Sequence, residues 1–427
     1  MHKKHYDYIN ETIYSETLPN GLTVSLMPKE TMSKTYSIFT TDYGSIDQTF
    51  TPLGSDEKVT VPEGVAHFLE HKLFEKEDRD VFSDFSKLGA SANAFTSFTK
   101  TAYLFSATNH IEENVTILLD FVQEPYFSEA SVEKEKGIIA QEINMYDDQP
   151  EWQSFMGTIR AMFQNHPVHI DIAGTVPSIQ SITKDDLYTC YRTFYHPENM
   201  YLFVAGNFNP DNMIALIKEN QAAKEFASLE EIKRDYPSES RTVAMEDYTI
   251  HMPVSIPKCT VGIKESVDTL HGIPFLKRDL LQEMIVTHYF SKGGPFYQAL
   301  YNENLIDESF YVETNLDKNF GYTLIGGNTR TPAQFANRVK ELLLSTQQAT
   351  LLTEDVERMK KKKIGQMLRA MNSLEFIANK YTHYQMVGVD LFDIIPEIQK
   401  ITAEEVNRFL NNWIEKDRLS VCTIESE

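Results

Sequence analysis

A chain of 427 residues is long enough for two or three domains, each with a core of its own. With 41% hydrophobic and 24% charged residues it lies outside the disordered, collagen-like and membrane-spanning classes. A formal charge of -22 argues against nucleic acid as a partner, since phosphate binding depends on lysine and arginine; the acidity reads as solubility ahead of attraction for basic peptides.

The first stretch, MHKKHYDYINETIYSETLPNG, carries lysines but no apolar run of signal-peptide type, and nothing later approaches a membrane span, so a cytoplasmic protein is expected. LTVSLM and TYSIFTTDYGS read as strands, GVAHFLEHKLF as a helix, NAFTSF and TAYLFSAT as a hairpin, and ASVEKEKGIIAQEINMY as a second helix. His166 and His169 flank Pro167 in HPVH, which reads as a loop with a structural role. ITKDDLYTCYRTFYHPENMYLFVAGN from Ile182 then matches ITAEEVNRFLNNWIEKDRLSVCTIES from Ile401 without a gap, 219 residues on. Each copy opens with a capping-box pattern, Thr183 with Asp186 and Thr402 with Glu405, followed by a helix and an apolar strand. Two related halves are expected, with a lobe over 1–225, a charged linker over 226–245 and a second lobe over 246–427. In the second, TVGIKESVD reads as a strand and long helices begin near Phe275 and Thr353; Lys360 to Lys363 reads as a solvated helix face. Irregular alternation with hairpins predicts an α+β fold, each half a largely antiparallel sheet covered by helices. Cys190, Cys259 and Cys422 are too few and too scattered for a disulfide framework or a metal knuckle.

His67-Phe68-Leu69-Glu70-His71 carries the chemistry. Two histidines four apart on a helix face one way and can share one zinc ion, and Glu70 lies on the same face, placed to take a proton from water. The pattern is the inverse of the HExxH arrangement. A catalytic zinc needs a third ligand and an open position. Glu135 and Glu142 lie seven apart, on a helical face that also carries Ile138 and Ile139 and so reads as buried; Glu142 is the expected ligand and Glu135 the group that orients a ligand. Such a motif could also decorate a polar surface helix. Its neighbours Val65, Ala66, Phe68, Leu69, Leu73 and Phe74 argue against that, because unpaired histidine and glutamate are costly in a buried helix.

Through GVAHFLEHKLFEK, LGASANAFTSFTKTAYLFSAT, VEKEKGIIAQEINMYDD and HPVHIDIAGTVPSIQSITKDDL, the chain resembles the pitrilysin or insulysin type of zinc metallopeptidase, with wording most like the YmfH-like members of Bacillus and its relatives. The resemblance implies one zinc per chain on His67, His71 and Glu142, Glu70 as catalytic base, Glu135 as accessory acid, and Ala92, Asn93, Ala94 and Phe95 on an edge strand to which a peptide adds. Active members carry an arginine and a tyrosine after a Gly-Gly helix; here those positions hold Asn304 and Glu308, with Tyr311 out of register. Single-chain relatives of four lobes are about twice this length, so the resemblance implies a dimer: first a heterodimer with a related subunit supplying the Arg/Tyr pair, second a homodimer. The expected function is hydrolysis of short or unfolded peptides. A non-catalytic scaffold subunit and a metal enzyme of other chemistry, such as an amidohydrolase, are the alternatives.

Overall fold

The computed structural model describes residues 1–227, 231–265 and 270–426. The expected linker over 226–245 and the expected strand from Thr260 to Asp268 each fall partly outside the described residues. Two compact units divide the chain, one made of Met1–Ile143, Ile170–Tyr236 and Ala370–Met386, the other of Asn144–His169, Pro237–Arg369 and Val387–Glu427. Relative to contiguous lobes over 1–225 and 246–427, two segments change sides: 144–169 packs with the second unit and 370–386 with the first.

In the first unit a seven-stranded sheet runs, in spatial order, His2–Tyr6, Glu11–Thr17, Thr23–Pro28, Met200–Gly206, Thr35–Thr41, Thr101–Ala107 and Ser91–Thr96. The second unit holds a five-stranded sheet in the order Asp247–His251, Leu419–Glu425, Lys258–Lys264, Gly321–Asn328 and Tyr311–Leu316. Setting aside the two strands that begin the first sheet, both sheets read 1-5-2-4-3 by sequence position. In both, the pair joining first and last strands is parallel and every other pair antiparallel. The shared order agrees with the internal match, since Met200–Gly206 and Leu419–Glu425 are the strands that follow the two capping boxes. Both boxes form as expected: Thr183 and Thr402 accept from the backbones of Asp186 and Glu405, whose carboxylates reach back.

Apolar alternation drives the packing. Phe39, Tyr103, Phe105, Leu202 and Val204 turn one face of the first sheet toward Phe68, Leu69, Leu118 and Leu119 of the covering helices, all buried. Each such side chain contributes about 1.5–3 kcal/mol when fully buried.

The charged segment between the repeats is pinned at two places. Lys233–Arg234 pairs with Thr49–Thr51, and Arg234 and Tyr236 both bind the buried Asp47 carboxylate, at 3.0 and 2.5 Å. Within the other unit, Glu239 accepts the backbone N–H groups of Gln164, Asn165 and His166 and pairs with Lys264 at 2.5 Å. His166 itself is buried and accepts from Val168 N, and Pro167–His169 is a 3-10 turn, in keeping with the structural role expected of HPVH. The Lys360 to Lys363 run is not a uniformly solvated face: Lys360 is buried and pairs with Glu357, and Lys363 pairs with Glu283.

Candidate metal centre

Two helices and one edge strand build the site. The first helix, Val65–Phe74, begins after Gly64, which sits in the left-handed region at φ 86°. A Cβ there would come within 2.3 Å of the Ala173 carbonyl oxygen, so both the dihedral and the close approach demand glycine. Val65, Ala66, Phe68, Leu69, Leu73 and Phe74 bury one side of this helix, which fixes the face that carries His67, Glu70 and His71. The second helix, Glu129–Asp147, is anchored by buried Val132, Ile139 and Ile143. The expectation that Ile138 shares the buried face is corrected: Ile138 is 46% exposed, because the buried stripe runs through Val132, Glu135, Lys136, Ile139 and Ile143, at i, i+3, i+4, i+7 and i+11, and position 138 falls outside it. Glu135 is buried and Glu142 partly so.

Among the described residues, His67, His71 and Glu142 form the one group of three whose ligand atoms all lie within 4.8 Å of one another. His67 Nε2 stands 3.7 Å from Glu142 Oε1 and His71 Nε2 stands 3.5 Å from Glu142 Oε2. Atoms arranged tetrahedrally about 2.0–2.2 Å from one zinc ion lie about 3.3–3.5 Å apart, close to the two separations between the histidines and Glu142. The protonation state of His67 suits a metal as well. Burial, and then the neighbouring His71 ring, push His67 down to about 3, leaving a neutral imidazole, the form that ligates. Burial would also lower His71, but the Glu135 hydrogen bond and the charges of Glu70, Glu142 and Glu135 outweigh it and raise the group. His71 Nδ1 donates to Glu135 Oε1 at 3.1 Å, which leaves Nε2 with its lone pair toward Glu142. Glu135, despite its burial, is held below the usual carboxylate range by His71 and Lys72.

Glu70 is buried at the same face. Burial raises it, while a 2.6 Å hydrogen bond from Thr96 Oγ1 to its Oε2 and the His71 charge oppose the rise. Thr96 ends the strand Ser91–Thr96, which pairs on one side with Thr101–Ala107 and is the last strand of its sheet. Ala92, Asn93, Ala94 and Phe95 therefore lie on an edge strand. The Ala94 N–H is satisfied by Asn93 Oδ1 at 2.9 Å. Glu70, His71, Glu135, Asn93 and Ala94 line one cavity of about 580 Å³, whose outer wall includes Phe74 stacked on Phe82.

Thr96 and Lys72 are the neighbours that sequence reasoning missed. Thr96 could have been found from its place one residue past the expected edge-strand phrase, whereas nothing in the local pattern marks Lys72, a fully buried lysine. Asn304, Glu308 and Tyr311 all lie in the second unit: Asn304 adopts φ 55° after the helix Pro295–Asn302, and Tyr311 Oη is engaged by Thr260 Oγ1 at 3.0 Å.

Comparison with known proteins agrees with this geometry. The profile described as Insulinase (Peptidase family M16) matches residues 52–176, and that of the Peptidase M16 inactive domain matches residues 181–363. The chain is 49% identical to the zinc protease YmfH of Bacillus subtilis (strain 168), over 98% of each chain. It is 32% identical to the zinc protease AlbF of the same strain, over 66% of each. Among solved structures, an M16-like peptidase from Alicyclobacillus acidocaldarius superposes with a TM-score of 0.94 at 39% identity, over 98% of this chain and 99% of that one. A protease from Helicobacter pylori shares the fold alone, with a TM-score of 0.82 at 17% identity over 97% and 99%. The chain belongs to the M16 (insulinase, pitrilysin-type) family of zinc peptidases, close to its YmfH subgroup.

Proposed function

We propose that the chain is a zinc-dependent endopeptidase or oligopeptidase subunit that hydrolyses short or unfolded peptides, with His67, His71 and Glu142 holding one zinc ion and Glu70 as the general base. The observation that carries this reading is the grouping of three ligand atoms within 4.8 Å beside a buried carboxylate that is tied to a sheet edge. Zinc, when bound there, supplies Lewis-acid polarisation of a scissile carbonyl and makes water acidic enough to lose a proton near neutrality.

The rest falls to the chain's own residues. Thr96 holds Glu70 Oε2, which leaves Oε1 as the oxygen to take the proton. Glu70 accepts the proton as water attacks and returns it to the departing amine, a role suited to a carboxylate whose affinity for protons burial has raised. Ala92 to Phe95 offer the free side of an edge strand, which binds extended peptide through backbone hydrogen bonds and so tolerates many sequences.

The Arg/Tyr positions support a divided active site. Asn304 and Glu308 carry no positive charge for a developing oxyanion, and the Tyr311 hydroxyl is already engaged. We therefore place this chain in a dimer, preferably with a related subunit that supplies the pair, and in the cytoplasm, in keeping with three buried free thiols. A self-sufficient homodimer is the second reading. Zinc content and cleavage of an unfolded-peptide mixture, measured for the chain alone and with a related subunit, separate the two. Activity alone supports a self-sufficient enzyme; zinc without cleavage until the partner is added supports the divided site; no zinc and no cleavage in either sample contradicts both.

A further inference from the structure

Lys72 is the first-unit residue that the proposed reaction leaves unexplained. It follows His71 on the metal helix, and its side chain has no exposed surface. Burying an ammonium costs several kcal/mol unless partners compensate, and a methionine or leucine of similar volume would fill the same space at no such cost. The partners are specific. Lys72 Nζ binds Glu75 Oε2 one turn along the helix, lies 3.4 Å from the Ser131 carbonyl oxygen, and stands 3.8 Å from Glu135 Oε2. The other oxygen of that same carboxylate, Oε1, accepts from His71 Nδ1 at 3.1 Å. One carboxylate is thus held from both sides, by a fixed cation at Oε2 and by the imidazole at Oε1.

Resting on the zinc reading above, we infer that Lys72 is a positioning residue for the metal centre, acting through Glu135. A carboxylate on a helix can rotate about its terminal torsion, a broad two-fold well in which neither orientation is strongly preferred. Lys72 removes that freedom by pulling Oε2 toward the helix Val65–Phe74, which turns Oε1 to His71. The His71 ring is then fixed in the tautomer and orientation that aims Nε2 at Glu142. Lys72 touches neither a ligand atom nor, in this arrangement, a substrate; its effect reaches the metal through an ion-pair contact with Glu135 and the hydrogen bond from His71 to that carboxylate. Because Lys72 and His71 are adjacent on one helix while Glu135 and Glu142 lie on the other, the same contacts hold the two helices in register at the height of the site.

The test is zinc affinity, by competition with a chromogenic chelator at constant pH, for wild type, Lys72→Met, Lys72→Arg, Glu135→Gln and the double variant Lys72→Met/Glu135→Gln, with circular dichroism to establish folding. Outer-shell changes around a metal typically cost about 10–100-fold in affinity. Lys72→Met is expected to weaken zinc by about that amount, Lys72→Arg to recover part of it, and Lys72→Met to have less than about a threefold effect once Glu135 is already glutamine. A merely structural lysine would lower thermal stability and leave the coupling to Glu135 absent. Should Lys72→Met not fold, Lys72→Gln, which keeps a donor for Ser131 and Glu75 without the charge, is read by the same criteria. A loss under threefold in the folded single variant, or an equal loss in the Glu135→Gln background, overturns the inference. Failure of wild type itself to bind zinc would instead overturn the zinc reading on which it rests.

Discussion

The two units carry the same 1-5-2-4-3 sheet, yet Glu265 of the second and Glu70 of the first, both buried, are treated in opposite ways. In the second unit Glu265, fully buried as a side chain, is satisfied on every side: Trp413 Nε1 and Thr323 Oγ1 donate to Oε1 at 2.9 and 3.1 Å, and Arg278 Nη2 pairs with Oε2 at 3.0 Å. In the first unit, among the described residues, Glu70 receives one side-chain hydrogen bond, from Thr96, and the buried His67 Nδ1 has no partner. Satisfied buried polar groups hold a core together, whereas groups left open around a cavity are available for a ligand. Within one duplicated scaffold, Glu265 is thus a cross-linking group of the core, while Glu70 lines a cavity with fewer partners. Burial of charge alone does not distinguish them; the state of each lone pair does.

The comparison can be broken most severely at the ligands. Glu142→Gln is expected to lose zinc by more than the about 10–100-fold of an outer-shell change, measured by metal content after gel filtration. Stoichiometric zinc in that variant would show that the open cluster is not the metal site. A backbone change at the helix that carries the histidines comes next. Gly64→Ala forces a left-handed alanine, at roughly 1–2 kcal/mol, and sets a Cβ against the Ala173 carbonyl, so chemical denaturation should show a loss of at least that size. Unchanged stability would mean that the helix start relaxes freely.

Smaller effects sharpen the other side of the contrast. Burial would raise Glu239, but Lys264 and the N–H groups of Gln164, Asn165 and His166 pull it down to about 2 from an ordinary 4.5. A carboxylate depressed on folding contributes stability that is fully present above about pH 4.5 and is lost as the pH falls toward about 2. Denaturation curves of wild type and Glu239→Gln should therefore differ most at neutral pH and converge across that window; a difference independent of pH would remove the charge from the explanation. Smallest of all, Tyr311→Phe loses one hydroxyl pairing with Thr260, about 0.5–1.5 kcal/mol by thermal unfolding, and leaves zinc content unchanged.

The legible parts of the molecule were those written in local spacing. The capping boxes, the His67-x-x-Glu70-His71 face and the hairpin ending at Ala107 follow from periodicities of 3.6 and 2 that need no tertiary information. Glu142 and Glu135 were reachable by the same route, although the stripe assigned to Ile138 was not, since one exposed isoleucine leaves the helical period intact. What could not be read depends on distance in sequence. Helix Pro150–Met162 joins the second unit through packing with strands more than 90 residues later, and the segment of charged residues from Lys233 is pinned by Asp47, nearly 190 residues earlier. Lys72 shows the limit plainly: its neighbours on the helix are apolar or ligating, and its meaning comes from Glu135 and Ser131 on another element.

Glu70→Gln, purified with zinc and assayed on an unfolded-peptide mixture under the conditions in which wild type cleaves, tests the central claim most directly. The account predicts zinc bound at the wild-type level with kcat lowered by about 10²–10⁴-fold, because the substitution removes the proton acceptor and spares all three ligands. Cleavage at the wild-type rate in the zinc-loaded variant would contradict it.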